Sequence, residues 1–280
     1  MIEPINVPRE QFPKSDMQSD GMMTLHIDCD NRCMEYIPDI EYINRESISL
    51  YIQLVLPCDR TKNTPVVIYV PGSAFYWQNV KNVIPSISLL VNRGFAVAMV
   101  QYRGSEVSTF PAQLLDTKAA VRFMKINAHK YGLDPENIYL MGDSSGGHTV
   151  LMAGFTVGLE NFEEEIYSEV SSDVKGIIDL FGPTDITKMN EELSTMDHSE
   201  PNGPEGCLIG GHNVLEHPEL TEPTVVMNYV DSARDLPPVL IFHGTNDELV
   251  PFGQSCMLYD KLVQCKKEAT FYAIENAHHG

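Results

Sequence analysis

Several residues of this chain have the types and spacing that nucleophilic catalysis needs. The sequence Gly-Asp-Ser-Ser-Gly-Gly occupies residues 142–147, between an apolar segment at 138–141 and a segment of small residues at 145–158. A Gly-x-Ser-x-Gly pattern between a strand and a helix is typical of a nucleophile elbow, a tight turn that exposes its central serine. The two flanking glycines fit, because a side chain at either place would clash inside the turn. The pattern therefore predicts that Ser144 is a nucleophile.

A catalytic serine also needs a base that accepts its proton and an acid that orients the base. In a parallel sheet, such side chains lie just past the carboxyl ends of strands. Asp247 follows an apolar strand predicted at residues 239–242, and its neighbour Glu248 is a less favoured alternative for the acid. His279 follows the last predicted strand, and we prefer it to His278 because a glycine comes directly after it. The predicted order along the chain is therefore serine, aspartate, histidine.

The oxyanion of an acyl-transfer intermediate needs N–H donors that are already in place. One donor is expected to be the backbone N–H of Ser145, the residue after the nucleophile. The loop after the strand predicted at residues 66–70 reads Pro-Gly-Ser-Ala-Phe, and its small residues let the backbone approach a substrate. We therefore predict two further oxyanion donors, the backbone N–H groups of Ser73 and Ala74.

Three other features have both a functional and a structural interpretation. The aromatic residues after the oxyanion loop are candidates for a substrate pocket, and packing in the core explains them equally well. His243 stands at a strand end but precedes the acid, which is the wrong order for the base. Residues 26–33 contain histidine, aspartate and cysteine, yet their spacing matches neither a calcium loop nor a zinc site, so we expect no metal. The three aromatic candidates are Phe75, Tyr76 and Trp77.

Apolar segments alternate with amphipathic segments along most of the chain. The continuous apolar run at 66–70 is typical of a strand buried on both faces, whereas residues 47–56 alternate as a half-buried antiparallel strand does. The alternation of strands and helices predicts a mostly parallel central sheet flanked by helices. The predicted strands are 40–43, 47–56, 66–70, 95–101, 138–141, 174–180, 239–242 and 269–274, and the predicted helices are 83–92, 111–131, 145–158 and 255–265.

The alternation stops between residues 186 and 236, which are rich in proline, glycine, glutamate and asparagine. A stretch of this length inside a compact domain is usually a lid or a binding insertion. With 280 residues and 43% hydrophobic composition, the chain is long enough to form one large core. We therefore expect a single α/β domain over residues 1–280, with a small lid insertion at about 186–236.

The charge and the cysteines limit the partners and the compartment. A net charge of −20 repels nucleic acid and anionic lipid surfaces, so we expect neither a nucleic-acid nor a membrane partner. No apolar stretch approaches the ~20 residues of a membrane span, and the first residues lack the pattern of a secretory leader. Six scattered cysteines favour reduced thiols and a cytoplasmic location, although secretion after removal of a leader is compatible with the same sequence. These features also permit a homo-oligomer.

Five motifs of the chain resemble those of one enzyme family. They are Gly-Asp-Ser-Ser-Gly-Gly at 142–147, Tyr-Arg at 102–103, Phe-Pro-Ala-Gln-Leu-Leu-Asp at 110–116, Phe-Gly-Pro-Thr-Asp at 181–185 and the run at 243–251. From residue 40 onward the chain resembles α/β-hydrolases of the acetyl-esterase and hormone-sensitive-lipase-like branch, above all bacterial feruloyl and acetyl-xylan esterases. The resemblance implies an α/β-hydrolase fold, a triad of Ser144, His279 and Asp247, and no cofactor. The implied substrates are short-chain acyl esters, such as acetyl or feruloyl esters of small molecules or oligosaccharides.

Two features depart from that family pattern. The oxyanion loop of the family normally reads His-Gly-Gly-Gly or His-Gly-Gly-Ala, whereas Pro71 stands here for the histidine and Ser73 for a glycine. Family members usually carry one more helix after the catalytic histidine, whereas this sequence has one residue after His279. Two alternatives to an esterase stay open: an amidase of the arylformamidase type, which can share the triad, and a ligand-binding protein of the same fold without turnover.

Overall fold

The structure of this chain is a computed structural model with two compact units, Met1–Asn31 and Arg32–Gly280. In the first unit, the described residues contain no strand, and apolar side chains such as Met17 and Met23 are exposed. All the predicted site residues belong to the second unit. The described residues are 3–8, 11–25, 34–45, 47–58 and 63–280.

One eight-stranded sheet forms the centre of the second unit. Its strands are β1 (Met34–Arg45), β2 (Ile48–Pro57), β3 (Thr64–Val70), β4 (Ala96–Val100), β5 (Leu133–Asp143), β6 (Gly176–Leu180), β7 (Val239–Gly244) and β8 (Ala269–Ile274). The order across the sheet is β1-β2-β4-β3-β5-β6-β7-β8. The first two pairs in this order are antiparallel and the other five are parallel. This is the mostly parallel sheet of an α/β-hydrolase, as the sequence predicts.

Helices connect the parallel strands. They are α1 (Ile84–Val91), α2 (Ala112–Ile126), α3 (Ala128–Tyr131), α4 (Ser145–Phe155), α5 (Pro204–Leu208), α6 (Pro218–Thr221) and α7 (Gly253–Gln264). The single helix predicted over residues 111–131 is therefore two helices. Asn127 interrupts it with φ −94° and ψ 6°, and its side-chain amide donates to the Phe123 carbonyl, which ends α2 locally.

Both faces of the sheet are buried. On β3, Val66, Ile68 and Val70 point into the larger core, to which α2, α4 and α7 also contribute. Val67 and Tyr69 point into a smaller core on the other face, which α1 covers. Burial on both faces explains why this strand is continuously apolar in the sequence.

The predicted lid region connects β6 to β7 and contains only short helical segments, among them α5 and α6. Ile186, Ile209 and Val214 form a small hydrophobic cluster of their own. Val226 and Val230, near the end of the region, pack instead into the larger core. The region is therefore partly a separate layer and partly an extension of the main core.

The sequence predicts neither a membrane partner nor a metal site. No helix in the described part of the chain is long and apolar enough to cross a membrane. The described ranges contain no group of three or more His, Cys, Asp or Glu side chains that could hold a metal ion. The segment 26–33, considered above as a metal-binding motif, lies outside the described residues.

Candidate active site

Ser144 stands at a sharp turn between β5 and α4. Its backbone has φ 51° and ψ −126°, a strained conformation for a residue with a side chain. A Cβ at Gly142 would lie 2.3 Å from the Gly146 oxygen, and one at Gly146 would lie 2.0 Å from the Val70 oxygen. Only glycine fits at these two positions, so the turn has the local geometry that the motif predicts.

Three side chains from distant parts of the chain form a hydrogen-bonded row at the carboxyl edge of the sheet. Ser144 Oγ lies 3.0 Å from His279 Nε2, and His279 Nδ1 lies 2.8 Å from Asp247 Oδ2. The three residues follow β5, β8 and β7. The His279 side chain is 15% exposed, whereas the Asp247 side chain is fully buried. The row can therefore act chemically as nucleophile, base and orienting acid.

Asp247 belongs to the loop between β7 and α7, called here the acid loop (residues 245–252). Its Oδ1 accepts hydrogen bonds from the backbone N–H groups of Leu249 at 2.9 Å and Val250 at 2.8 Å. Burial alone would raise the pKa of Asp247, but hydrogen bonds from His243, His279 and the Leu249 N–H outweigh it and hold the pKa below its usual range. The carboxylate therefore stays ionised and can stabilise a protonated His279.

His243 is a second histidine on the same carboxylate, and its role was missed by sequence reasoning, which considered it only as a base. Its ring is fully buried, with Nε2 3.2 Å from Asp247 Oδ2 and 3.0 Å from the Val250 oxygen. Nδ1 lies 2.8 Å from the Ser255 hydroxyl. Two acceptors face Nε2, so this nitrogen carries a hydrogen. His243 thus positions Asp247 from behind, and no local pattern in the sequence marks such a contact.

The loop that carries His279 is attached to the acid loop. The Asn246 N–H donates to the Ala277 oxygen at 2.9 Å. A Cβ at Gly244 would lie 2.3 Å from the same oxygen, so the two loops approach as closely as glycine permits. The Phe181 ring packs edge-on against the imidazole of His279, with ring centroids 4.8 Å apart. These contacts fix the ring between its two partners.

The two alternative residues, Glu248 and His278, pair with each other instead. Their side chains are 45% and 70% exposed, and His278 Nδ1 lies 3.1 Å from Glu248 Oε2. Glu248 also accepts a long hydrogen bond of 3.4 Å from the His279 backbone N–H. The structure therefore brings Asp247 and His279, and neither alternative, into the row with Ser144.

The oxyanion loop after β3 lies against the nucleophile, since a Cβ at Gly72 would stand 2.8 Å from Ser144 Cβ. The Ser73 N–H donates to Ser145 Oγ at 2.9 Å, so its hydrogen already has an acceptor within the protein. No described protein atom accepts from the N–H groups of Ala74 and Ser145. Of the three predicted oxyanion donors, these two remain candidates.

Asp143, the residue before the nucleophile, anchors the oxyanion loop. Its Oδ1 accepts from the Gly72 N–H at 2.9 Å and from the Tyr69 hydroxyl at 2.5 Å. Burial, together with the nearby Asp143 charge, raises the pKa of Tyr69 well above its usual range, so this hydroxyl remains a donor. Asp143 occupies the variable position of the Gly-x-Ser-x-Gly pattern, which is why the pattern alone assigns it no role.

The hydroxyl groups of Ser73, Tyr102 and Ser145 lie close together beneath the oxyanion loop. These contacts give the serine at position 73 a structural role that a glycine could not have. Ser73 Oγ donates to the Tyr76 oxygen at 2.6 Å and lies 3.0 Å from the Tyr102 hydroxyl. That hydroxyl lies 3.4 Å from Ser145 Oγ. Complete burial raises the pKa of Tyr102 to about 12, so it stays protonated. The serine side chain thus cross-links the loop to its neighbours.

The three aromatic residues after the loop separate in the structure. Phe75 is only 1% exposed and packs edge-on against His148, so it belongs to the core and the pocket prediction fails for it. Tyr76 lines a cavity of about 570 Å³, where its hydroxyl lies 3.4 Å from Cys207 Sγ. Trp77 is 45% exposed, and its backbone N–H donates to Glu106. Only Tyr76 therefore lines a described cavity.

A larger cavity of about 1110 Å³ opens beside the acid loop. Residues 190–195 form its opposite wall, and His278 completes it. Its lining combines the apolar side chains of Leu193 and Phe252 with several amide, hydroxyl and carboxylate groups. This cavity shares Asp247 with the hydrogen-bonded row, whereas Ser144 and His279 are not among its lining residues.

Comparison with known protein families identifies the family of this chain. The profile of the family described as BD-FAE matches residues 52–262, a range that includes Ser144 and Asp247 and ends before His279. The chain belongs to the BD-FAE family. This membership agrees with the α/β-hydrolase architecture and with the resemblance to carbohydrate esterases expected from the motifs.

Named relatives of this BD-FAE member are esterases. The probable carboxylic ester hydrolase LipM of Mycobacterium tuberculosis is 28% identical over 77% of this chain and 48% of its own length. A solved truncated carbohydrate esterase from gut microbiota is 32% identical, with a TM-score of 0.78 over 87% of this chain and 90% of that one. The bifunctional GH43-CE of Bacteroides eggerthii is 30% identical, with a TM-score of 0.78 over 89% of this chain and 36% of that one.

The relatives differ from this chain in length. The chain spans about half the length of the curated relatives that it matches.

Proposed function

We propose that this chain hydrolyses carboxylic esters of short acyl groups through an acyl-enzyme on Ser144. The observation that carries the proposal is the row of Ser144, His279 and Asp247, with 3.0 Å and 2.8 Å between successive partners. Family membership and the esterase names of the relatives support the same class of reaction.

The first half of the reaction forms the acyl-enzyme. His279 Nε2 takes the proton of Ser144 Oγ while this oxygen attacks the carbonyl carbon of the ester. Asp247 accepts the hydrogen bond of Nδ1–H and stabilises the imidazolium that forms. The backbone N–H groups of Ala74 and Ser145 bind the negative oxygen of the tetrahedral intermediate. When the intermediate collapses, His279 delivers its proton to the departing alcohol.

The second half releases the acid. A water molecule takes the place of the alcohol, and His279 removes its proton as the water oxygen attacks the acyl carbonyl carbon. The same two N–H groups bind the second oxyanion. Collapse returns the proton from His279 to Ser144 Oγ, so the enzyme regenerates itself without a cofactor.

The proposed substrates are acetyl and other short acyl esters of carbohydrates, with feruloyl esters as further members. Two similar solved chains carry the words carbohydrate esterase or CE in their names, which supports a carbohydrate alcohol. The cavity beside the acid loop agrees with this class, because Leu193 and Phe252 offer apolar faces next to hydroxyl and amide groups.

Hydrolysis of p-nitrophenyl esters from acetyl to octanoyl, by the wild type and by Ser144→Ala, tests the proposal. We expect turnover that decreases with acyl length and a loss of at least about 10⁴-fold in the variant. Ser88→Ala is the matched control, because Ser88 is a partly exposed serine on α1 whose hydroxyl donates to the Pro85 oxygen and not to any residue of the site.

The outcomes separate the proposal from its two alternatives. Faster turnover of an aryl formamide than of any ester would favour an amidase. Saturable binding of esters without turnover by the folded wild type would favour a binding protein. Equal activity of Ser144→Ala and the wild type would refute Ser144 as the nucleophile.

A further inference from the structure

A second row of serine, histidine and carboxylate lies in the insertion between β6 and β7. Ser194 Oγ lies 3.0 Å from His198 Nε2, and His198 Nδ1 lies 3.1 Å from Glu205 Oε1. His198 and Glu205 are only 2% and 4% exposed. The residue types and distances repeat those of the catalytic row, so the chemical state of this histidine decides what the second row does.

The hydrogen bonds of Ser194 indicate that His198 is protonated. The Ser194 hydroxyl is within 3.2 Å of the Glu248 oxygen and 3.1 Å of the Leu249 oxygen, which only accept hydrogen bonds. When its single hydrogen points to either carbonyl, Ser194 Oγ is left as the acceptor of a hydrogen from His198 Nε2. Nδ1 lies 3.1 Å from Glu205 Oε1, a charge contact without hydrogen-bond geometry, and an imidazolium is the form of His198 that satisfies both neighbours.

The surroundings of His198 also favour the charged form. Burial lowers its pKa, but the close contact and the charge of the Glu205 carboxylate outweigh this, and the Leu249 carbonyl and Asp197 add to them, so the pKa is raised. Glu205 Oε2 has no hydrogen-bond partner among the described residues, so the buried carboxylate depends on the imidazolium for its neutralisation. An imidazolium has no free nitrogen to remove a proton from Ser194, so this row is not a second nucleophile.

The row connects the insertion to the acid loop. Beside Ser194, the Thr195 N–H donates to the Glu248 oxygen at 2.8 Å. The two carbonyls that receive these bonds belong to the segment whose Leu249 N–H holds Asp247 Oδ1 at 2.9 Å. The same residues, 194 and 195, also line the cavity of about 1110 Å³ beside the site.

We propose that Ser194, His198 and Glu205 form a tether that positions the acid loop, and thereby Asp247 and the adjoining cavity wall, for ester hydrolysis. The three are positioning residues, since none of them contacts Ser144 or His279. The proposal rests on the proposed ester hydrolysis for its kinetic consequence, whereas the attachment of the insertion to the acid loop has a consequence for stability without any turnover.

The tether has a defined pH dependence. Among the described residues, the titratable or charged groups around the His198 ring are Glu205 on α5 and the neighbouring Asp197, while the acid loop presents only main-chain carbonyls. Because the pKa of His198 is higher in the folded protein, the tether stabilises the fold fully below the unfolded pKa. This contribution is lost as the pH rises through the folded pKa. Activity should therefore decline on the alkaline side as the tether releases.

The test compares the wild type with His198→Gln, Glu205→Gln and Ser194→Ala between pH 6 and pH 10. His217→Gln is the matched control, because His217 lies in the same insertion and pairs with Glu219 at 3.0 Å, but both side chains of this pair are exposed. Thermal unfolding midpoints measure the tether directly, and kcat and KM for p-nitrophenyl acetate measure its effect on the site. If His198→Gln does not fold, Ser194→Ala still removes the link between His198 and the acid loop, while the Thr195 N–H bond to the Glu248 oxygen remains.

We expect His198→Gln to unfold at a lower temperature than the wild type at pH 6, with the difference disappearing towards pH 10. Its kcat/KM at pH 6 should fall about tenfold, as expected when about 1.4 kcal/mol of positioning is lost, and its alkaline decline should vanish. Glu205→Gln should shift that decline to lower pH. The control should match the wild type.

A pH-independent difference in unfolding temperature, or the same behaviour in His217→Gln, would overturn the tether. A wild type without turnover that still shows the pH-dependent difference in unfolding would refute ester hydrolysis and leave the attachment of the insertion intact. If His198→Gln turns over the ester with the same pH–rate profile as the wild type, the attachment of the insertion does not position the site.

Discussion

Two rows of serine, histidine and carboxylate occur in this chain with nearly the same distances and opposite consequences. In the catalytic row, His279 Nε2 lies 3.0 Å from Ser144, and in the tether, His198 Nε2 lies 3.0 Å from Ser194. The Ser144 hydroxyl has His279 as its acceptor, whereas the Ser194 hydroxyl reaches two backbone carbonyls. The destination of one hydroxyl hydrogen thus separates a nucleophile from a structural link.

Three buried carboxyl groups of the second unit differ in the groups that donate hydrogen bonds to them. Asp247 has two histidines and two backbone N–H donors, and its pKa is held low. Glu205 has one histidine and keeps one oxygen without a partner among the described residues. Asp179, on β6, accepts only from the Gly182 N–H, and complete burial raises its pKa to about 7. Asp247, which has four donors, therefore stays ionised, whereas Asp179, which has one neutral donor, favours its protonated form.

The largest expected effect comes from removing the charge of the catalytic acid. Asp247→Asn should lower kcat about 10⁴-fold, because an amide no longer selects the Nδ1–H tautomer of His279 or stabilises its charged form. Glu205→Gln, the matching change in the tether, should cost only about tenfold. Steady-state kinetics on p-nitrophenyl acetate distinguish the two.

A control and a contrary result accompany this comparison. Glu248→Gln changes the exposed neighbour of Asp247 and should leave kcat within about twofold, as expected for a solvent-exposed ion pair. Similar losses in Asp247→Asn and Glu205→Gln would contradict the division into a catalytic row and a tether.

A smaller effect is expected from the second histidine on Asp247. His243→Phe keeps an aromatic ring between Phe181 and Phe252 but removes the N–H that faces Asp247. Losing a hydrogen bond to a charged group costs roughly 1.5–3 kcal/mol, so kcat should fall about tenfold to a hundredfold. The pKa of Asp247 should rise, because one of the hydrogen bonds that hold it low is lost. An unchanged kcat, measured in a folded variant, would exclude this role of His243.

The third prediction concerns the stability of the fold and involves Asp179, whose described partner is the Gly182 N–H and not a histidine. Asp179 favours its protonated form in the folded protein, since burial raises its pKa to about 7 from an ordinary value of 3.8. The wild type should therefore lose stability as the pH rises from 4 to 7, by a few kcal/mol at most. Asp179→Asn should lack this loss, which denaturant unfolding at several pH values measures. A parallel pH dependence in the variant and the wild type would mean that Asp179 does not titrate as proposed.

Local motifs and strand ends made much of this molecule predictable. The elbow at Ser144 could be recognised because a sharp strand-to-helix turn constrains adjacent residues, here Gly142 and Gly146. Asp247 and His279 could be chosen because the ends of parallel strands share one edge of the sheet. The mostly parallel sheet followed from continuous apolar strands, and the family comparison agrees with the resemblance that the motifs suggested.

What sequence reasoning missed depends on contacts between distant segments. The Ser73 N–H is used by Ser145 Oγ, and Asp143 holds the oxyanion loop, but neither contact has a spacing that reveals it. Phe75 enters the core although it borders a catalytic loop. Ser194 and His198 stand four residues apart in a region without a regular pattern, so only the folded insertion shows that they meet.

Labelling with a fluorophosphonate, followed by mass spectrometry of the modified peptides, tests the central claim most directly. Such a reagent reacts with a serine that a neutral histidine activates. The account predicts one label per chain, on Ser144, lost in Ser144→Ala and unchanged in Ser194→Ala. A label on Ser194, or a folded wild type without any label on Ser144, would contradict the assignment of the first row to catalysis and the second to the tether.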